Sequence, residues 1–201
     1  MKTSIYTVLR FAAYTAVIVC LAASLPLLLR NGSALSFGEN QFIEWIESAL
    51  LLAVSLVALW GGYRAPASRR VMFLLASVAI FATCRELDML LDVIVPVIGW
   101  KVGGIVLVFG AWRTYIHRRE FIRQLDAFLR SQAFALLWAG FILAAPFAQL
   151  IGYAGFLKQL MGDDYMRDYR RVIQESAELF GYVLLVAGAL EGVIRDEQNR
   201  V

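Results

Sequence analysis

Seven carboxylates fall within three strongly apolar stretches of this 201-residue chain: Glu44 and Glu47, then Glu86, Asp88 and Asp92 beside Arg85, then Glu175 and Glu178. A charge placed centrally in a bilayer costs roughly 2.5–3.5 kcal/mol on insertion scales. Acids kept there need a partner, a water-filled cavity or a ligand, and seven of them cannot all be charged and dry against one arginine. Either close acids share protons or a cation supplies the missing charge. Carboxylate oxygens suit hard ions such as Mg²⁺, Ca²⁺ or Mn²⁺, and also organic amines.

Helical spacing groups these residues into stripes. Glu44, Glu47 and Ser48 share a face at i, i+3 and i+4, and Glu175, Glu178 and Tyr182 do so at i, i+3 and i+7. Arg85, Asp88 and Asp92 form a third stripe, with Glu86 about 100° around the axis. The economical arrangement turns all three stripes toward one pocket. Glu47, Asp88, Asp92 and Glu178 are then expected to coordinate the ligand, with Arg85 offsetting charge in the empty pocket. A structural alternative leaves Glu44 and Glu175 in headgroup water, stabilised at helix starts by the dipole, with Arg85 paired to Asp88 or Glu86.

The elements that must hold these stripes are membrane helices. The composition is 60% hydrophobic and only 17% charged, with mean hydropathy +0.66, where about 45–50% apolar is usual for soluble domains. The expected architecture is a single all-α polytopic bundle over 1–201. Apolar runs lie near 11–29, 42–62, 71–98, 101–117, 132–157 and 172–194. The first run is long for a cleaved leader, which favours a retained helix. The third must continue past Cys84 to be long enough to cross, with Pro96 and Gly99 ending it, so its charges lie inside the span. With the N-terminus inside, twelve of the nineteen lysines and arginines fall on the cytoplasmic side and six opposite. This predicts six spans, N-in and C-in. At about 1.5 Å per residue, all three acidic stripes then reach a similar depth in the outer half of the bilayer.

The segment 118–130 carries Phe121, Ile122, Leu125, Phe128 and Leu129 on one face and arginines with Asp126 on the other. It predicts an interfacial amphipathic helix on anionic lipids of the cytoplasmic leaflet, or a partner-docking helix. The net charge of +3 arises from arginines flanking apolar runs, which argues for a membrane and against nucleic acid. Cys20 and Cys84 lie in apolar runs, where free thiols are expected, and a lone histidine, His117, leaves zinc or haem chemistry without ligands. Glu39, Asp163, Asp164 and Asp168 are expected in solvated connectors, and Glu191 among interfacial groups. Gly103, Gly104 and Gly110 in the fourth run, and Gly181 and Gly188 in the sixth, predict close helix approach. Pro146 is expected to kink its span.

The pair Glu44-Trp45, the motif Arg85-Glu86-Leu87-Asp88 and the start Glu175-Ser176-Ala177-Glu178 resemble a group of small bacterial polytopic membrane proteins. In that group a Glu-Trp pair starts one helix, an acidic motif lies in the next, and acids open the last. The chain departs from it at Arg85, where a second Glu is usual, and lacks the Trp-Gly-Gln tail. The resemblance covers about half the chain; it implies an acidic pocket and no particular activity. Intramembrane hydrolases related to ceramidases offer no parallel, because their metal-binding histidines have no counterpart.

The leading expectation is a small transporter or receptor-like protein of a bacterial inner membrane, whose pocket binds a cation or protons. The alternatives are an enzyme acting on a lipid headgroup or lipid-linked substrate, with carboxylates as metal ligands or acid and base, and an accessory subunit whose acids meet basic residues of a partner. A homo-oligomer is compatible with all three.

Overall fold

A computed structural model describes residues 2–30 and 42–198. Its elements are all helical: α1 (Lys2–Arg30), α2 (Phe42–Arg64), α3 (Arg69–Glu86), α4 (Asp88–Ile94), α5 (Lys101–Ile116), α6 (Arg118–Leu129), α7 (Gln132–Ile142), α8 (Ala148–Ile151), α9 (Ala154–Met161) and α10 (Arg167–Gln198). A π-helical turn, Leu143–Phe147, joins α7 to α8. Glu39, expected in a connector, lies outside the described residues; Asp163, Asp164 and Asp168 are exposed.

Four helices are long and apolar enough to cross a membrane: Ile5–Leu27, Ile43–Arg64, Gln132–Ile151 and Arg167–Arg195. Many large apolar side chains face outward, among them Leu56, Val108, Phe109 and Phe141, as a lipid-facing surface requires and a soluble one avoids. The fourth run forms a helix of 16 residues. The third differs from expectation, because its helix stops at Glu86 and restarts at Asp88. Leu87 leaves helical geometry at φ −97°, ψ 25° while its N–H still bonds the Thr83 carbonyl.

The bundle is built around α2 and α10, which pack on each other, with α3 against α2, α5 against α3, and α7 against α10. Small residues make these approaches. Ala58, Ala76, Ala133 and Ala189 are at most 1% exposed, and a side chain at Gly181 would meet Ala144, one at Gly188 would meet Leu137, and one at Gly103 would meet Cys84. Packing without bulk is how helices associate where lipid is as apolar as leucine. Gly104 is the exception to the expectation, since nothing lies near it. Hydroxyls buried in the bundle bond their own helix backbone: Ser55 donates to the Leu51 carbonyl and Thr83 to that of Ala79.

The amphipathic segment forms α6, but the bundle takes up much of its apolar face. Phe128 is buried and Phe121 and Leu125 pack against the core, while Ile122 and Leu129 stay exposed. Gln124 fixes the docking. Its Oε1 accepts from the Arg70 backbone N–H at 2.7 Å, and its Nε2 donates to the Pro66 carbonyl and to Glu120, both at 3.1 Å. Gln124→Leu should therefore destabilise the protein by about 1–3 kcal/mol, because a first-turn N–H and a carbonyl lose their partner together. Thermal unfolding in mild detergent measures this, and an unchanged midpoint would refute it. Glu120 accepts from Arg70 at 2.9 Å, and that bond holds its carboxyl below the usual range. The pair's contribution is thus present above the ordinary carboxylate pKa and is lost only as pH falls through the lowered one.

Helix α1 stands apart: no residue in its membrane-crossing window is buried. It lies against α10, where a buried carboxyl of that helix meets its polar side chains. Arg10 Nε and Nη2 donate to the two Glu191 oxygens at 2.7 and 3.1 Å, and Tyr14 donates to Oε1 at 3.0 Å. Glu191, expected among interfacial groups, is instead 4% exposed.

Candidate functional site

Helices α2, α3 and α10 each deliver acids to one end of the bundle. On α2, the face that buries Ile43, Leu51 and Val54 carries Glu47 into the interior, where it is 0% exposed. On α10, Glu178 is buried among Ala177 and Leu179, with Glu175 half-buried one turn earlier. One oxygen from each of Glu47, Glu175 and Glu178 can be chosen so that all three lie within 4.8 Å of one another.

Glu47 is the unusual member. Neither of its oxygens has a hydrogen-bond donor facing it, and the neighbouring Ser48 hydroxyl is likewise buried without a partner. The polar groups nearest Glu47 include the carboxyls of Glu175 and Glu178. Oxygens of like charge attract only with a proton or cation between them. Glu178 is better provided for: its Oε1 accepts from Gln174 Nε2 at 3.0 Å and from Gln149 Nε2 at 3.5 Å.

Glu86 joins from α3. Its Oε1 accepts from the Tyr182 hydroxyl at 2.9 Å, which links the third stripe to α10. Glu44, Ser48 and Glu86 line a recess of about 20 Å³ with Trp45 and Leu90, enough for one water or ion. Arg85 is exposed and makes no ion pair with Glu86 or Asp88; its charge reaches Glu86 and Glu178 through space.

The structure thus brings together Glu44, Glu47, Glu86, Glu175, Glu178, Ser48 and Tyr182. It leaves Asp88 and Asp92 outside. Both are exposed, and Asp88 accepts from the Met89 N–H at the start of its own helix. They share the outward face with the exposed Arg85, whereas Glu86 continues the buried register of Met72, Ala76, Ala79 and Thr83.

Two members of the site were not legible as such. Gln174 lies four residues before Glu178, a spacing at which helical side chains meet. Gln149 follows Pro146, whose missing N–H interrupts the regular ladder. The wide turn Leu143–Phe147 results, a feature frequent at functional sites, and it precedes the turn that turns Gln149 toward Glu178.

The donor set fits a hard divalent ion. Two opposite oxygens on Ca²⁺ stand up to about 4.6–5.2 Å apart, at 2.3–2.6 Å each, which matches the spread of the triad. Carboxylates, carboxamides and hydroxyls, with no soft donor, are the ligands that Mg²⁺, Ca²⁺ and Mn²⁺ favour. No protein family, curated protein or solved structure matches this chain.

Proposed function

We propose that this chain is an integral membrane protein whose Glu47–Glu175–Glu178 chamber binds a cation or protons, and that it works as a small transporter or receptor-like protein. One observation carries the reading: a fully buried carboxyl, Glu47, has no donor at either oxygen and two further carboxyls close by. A purely structural acid would have been given a donor, as Glu191 has.

The same reading takes the chain as six-spanning, N-in and C-in, in a bacterial cytoplasmic membrane, with the chamber toward the outer face. The contact of Arg10 near the start of α1 with Glu191 near the end of α10 supports placing both termini on one side. The packing of α3 on α2 and of α5 on α3 supports counting them as spans. Arg85 keeps the empty chamber from accumulating unopposed negative charge.

Thermal unfolding in detergent tests it. Mg²⁺, Ca²⁺ or Mn²⁺ at a hundredfold excess over Kd should stabilise the protein by about 2.7 kcal/mol relative to chelator. Glu47→Gln should remove that response, and Asp88→Asn should keep it. A wild-type midpoint indifferent to every cation and to pH would refute the proposal.

A further inference from the structure

On the side of the bundle between α3 and α7 lies a second feature, most of whose length lies away from the carboxylate chamber. The two helices pack on α2 and α10 but hardly on each other, and the gap holds a cavity of about 650 Å³, within the range of ligand sites. Its back wall is Leu51 and Val54 of α2 with Leu185 of α10, and its floor is the apolar face of α6. At its mouth Val78, Trp138 and Phe141 are exposed, so the opening is on the hydrocarbon-facing side of membrane helices.

Polarity is sharply divided along this cavity. From Val71 up to Ala82 the α3 wall is apolar, and the charged or amide-bearing lining is confined to the far end, at Arg85, Glu86, Gln149 and Glu178, beside the Tyr182 hydroxyl. The α3 residues that line it span about 21 Å between Val71 and Arg85, longer than the roughly 15 Å of hydrocarbon in one leaflet. An extended acyl chain fills such a space, and a compact solute does not.

The charges at the far end select the head. A simple anion drawn to Arg85 would sit beside Glu86 and Glu178, and a simple cation drawn to those acids would sit beside Arg85. A zwitterion satisfies both: a phosphate accepts from the guanidinium fork, and an ammonium donates to the carboxylates. A quaternary head lacks the N–H groups needed to donate.

We propose that the α3–α7 groove is a binding site for an amine-bearing phospholipid, with an acyl chain along α3, phosphate at Arg85 and ammonium at Glu86 and Glu178. The polar end shares Glu86, Glu178 and Tyr182 with the carboxylate cluster, but Glu47 and Glu175 do not line the groove, so the cation response and lipid retention can be read separately.

The test uses the full chain in nanodiscs of equal parts phosphatidylethanolamine, phosphatidylglycerol and phosphatidylcholine, transferred to mild detergent and examined by native mass spectrometry. One phosphatidylethanolamine should be retained per chain in preference to the other two. Leu74→Trp fills the end of the groove beside α6, where the acyl chain would terminate, far along α3 from Glu86, and should abolish retention while leaving the Glu47-dependent cation response. Arg85→Gln, at an exposed side chain, should lower retention about tenfold by removing a charge-assisted bond. Retention of phosphatidylglycerol or phosphatidylcholine to the same degree would overturn the proposal. So would retention of no lipid, or a second copy of the chain cross-linked through Val78 and Trp138. Loss of the cation response with lipid retention intact would count against the chamber alone.

Discussion

Arg10→Leu is expected to destabilise the protein by about 3–5 kcal/mol, the largest loss any single substitution outside the core should cause. The reason lies in what stays behind. Glu191 is 4% exposed with two charge-assisted bonds from Arg10 and one from Tyr14. Without the guanidinium, a buried carboxylate keeps only a neutral hydroxyl, and the desolvation it suffered on folding goes uncompensated. The double variant Arg10→Leu with Glu191→Leu should recover most of the loss, since replacing both members of a buried pair by apolar groups is often close to neutral. Because no residue of α1 is buried in its membrane-crossing window, the single variant should also loosen α1 from α10. A longer distance between spin labels at position 9, an exposed residue of α1, and position 195 of α10 would report that separation. A loss below about 1 kcal/mol, the usual worth of an exposed pair, would show instead that Glu191 is hydrated in the folded protein.

How far the site could be read from residues alone follows from which forces act locally. Glu47 and Glu178 sit on helical faces defined by i, i+3 and i+4 spacing, and that periodicity survives into the structure because α2 and α10 are unbroken there. The same rule groups Asp88 and Asp92 with Arg85, and all three are exposed. Periodicity gives which residues share a face but not which face turns inward; here the buried register of Met72, Ala76, Ala79 and Thr83 carries Glu86 inside and leaves that stripe out, a choice that tertiary packing makes and propensity does not. Distance in sequence hid the Arg10–Glu191 pair, whose members are 181 positions apart and meet only if α1 lies along α10. The apolar face of α6 was legible, yet its partner was not, since Phe121 and Leu125 would suit a bilayer as well as the groove and core they meet.

Chemistry at Glu47 offers the sharpest distinction between a binding chamber and a structural acid. In chelator, Glu47→Gln should be at least as stable as the wild type, with a gain of up to about 1–3 kcal/mol, the cost assigned to a buried polar group that lacks its partner. A carboxamide keeps the volume and shape but supplies N–H donors to the neighbouring carboxyls of Glu175 and Glu178, so like-charged oxygens become a donor and its acceptors. Glu47→Leu should also fold, because no N–H or hydroxyl donor is orphaned by losing the carboxyl and apolar replacements of buried charge are tolerated when no such group is left unpaired. Were Glu47 a structural keystone, the opposite order would hold: both variants would lose stability, leucine more than glutamine, whatever the cation present. Adding cation then separates the remaining possibilities. The wild type should overtake both variants as Ca²⁺ or Mn²⁺ rises, since only it keeps three carboxylates within 4.8 Å. Unfolding midpoints of the three proteins, with chelator and with cation, decide it: crossing curves indicate a site held vacant at a cost to the fold, while parallel curves would remove the argument for a chamber.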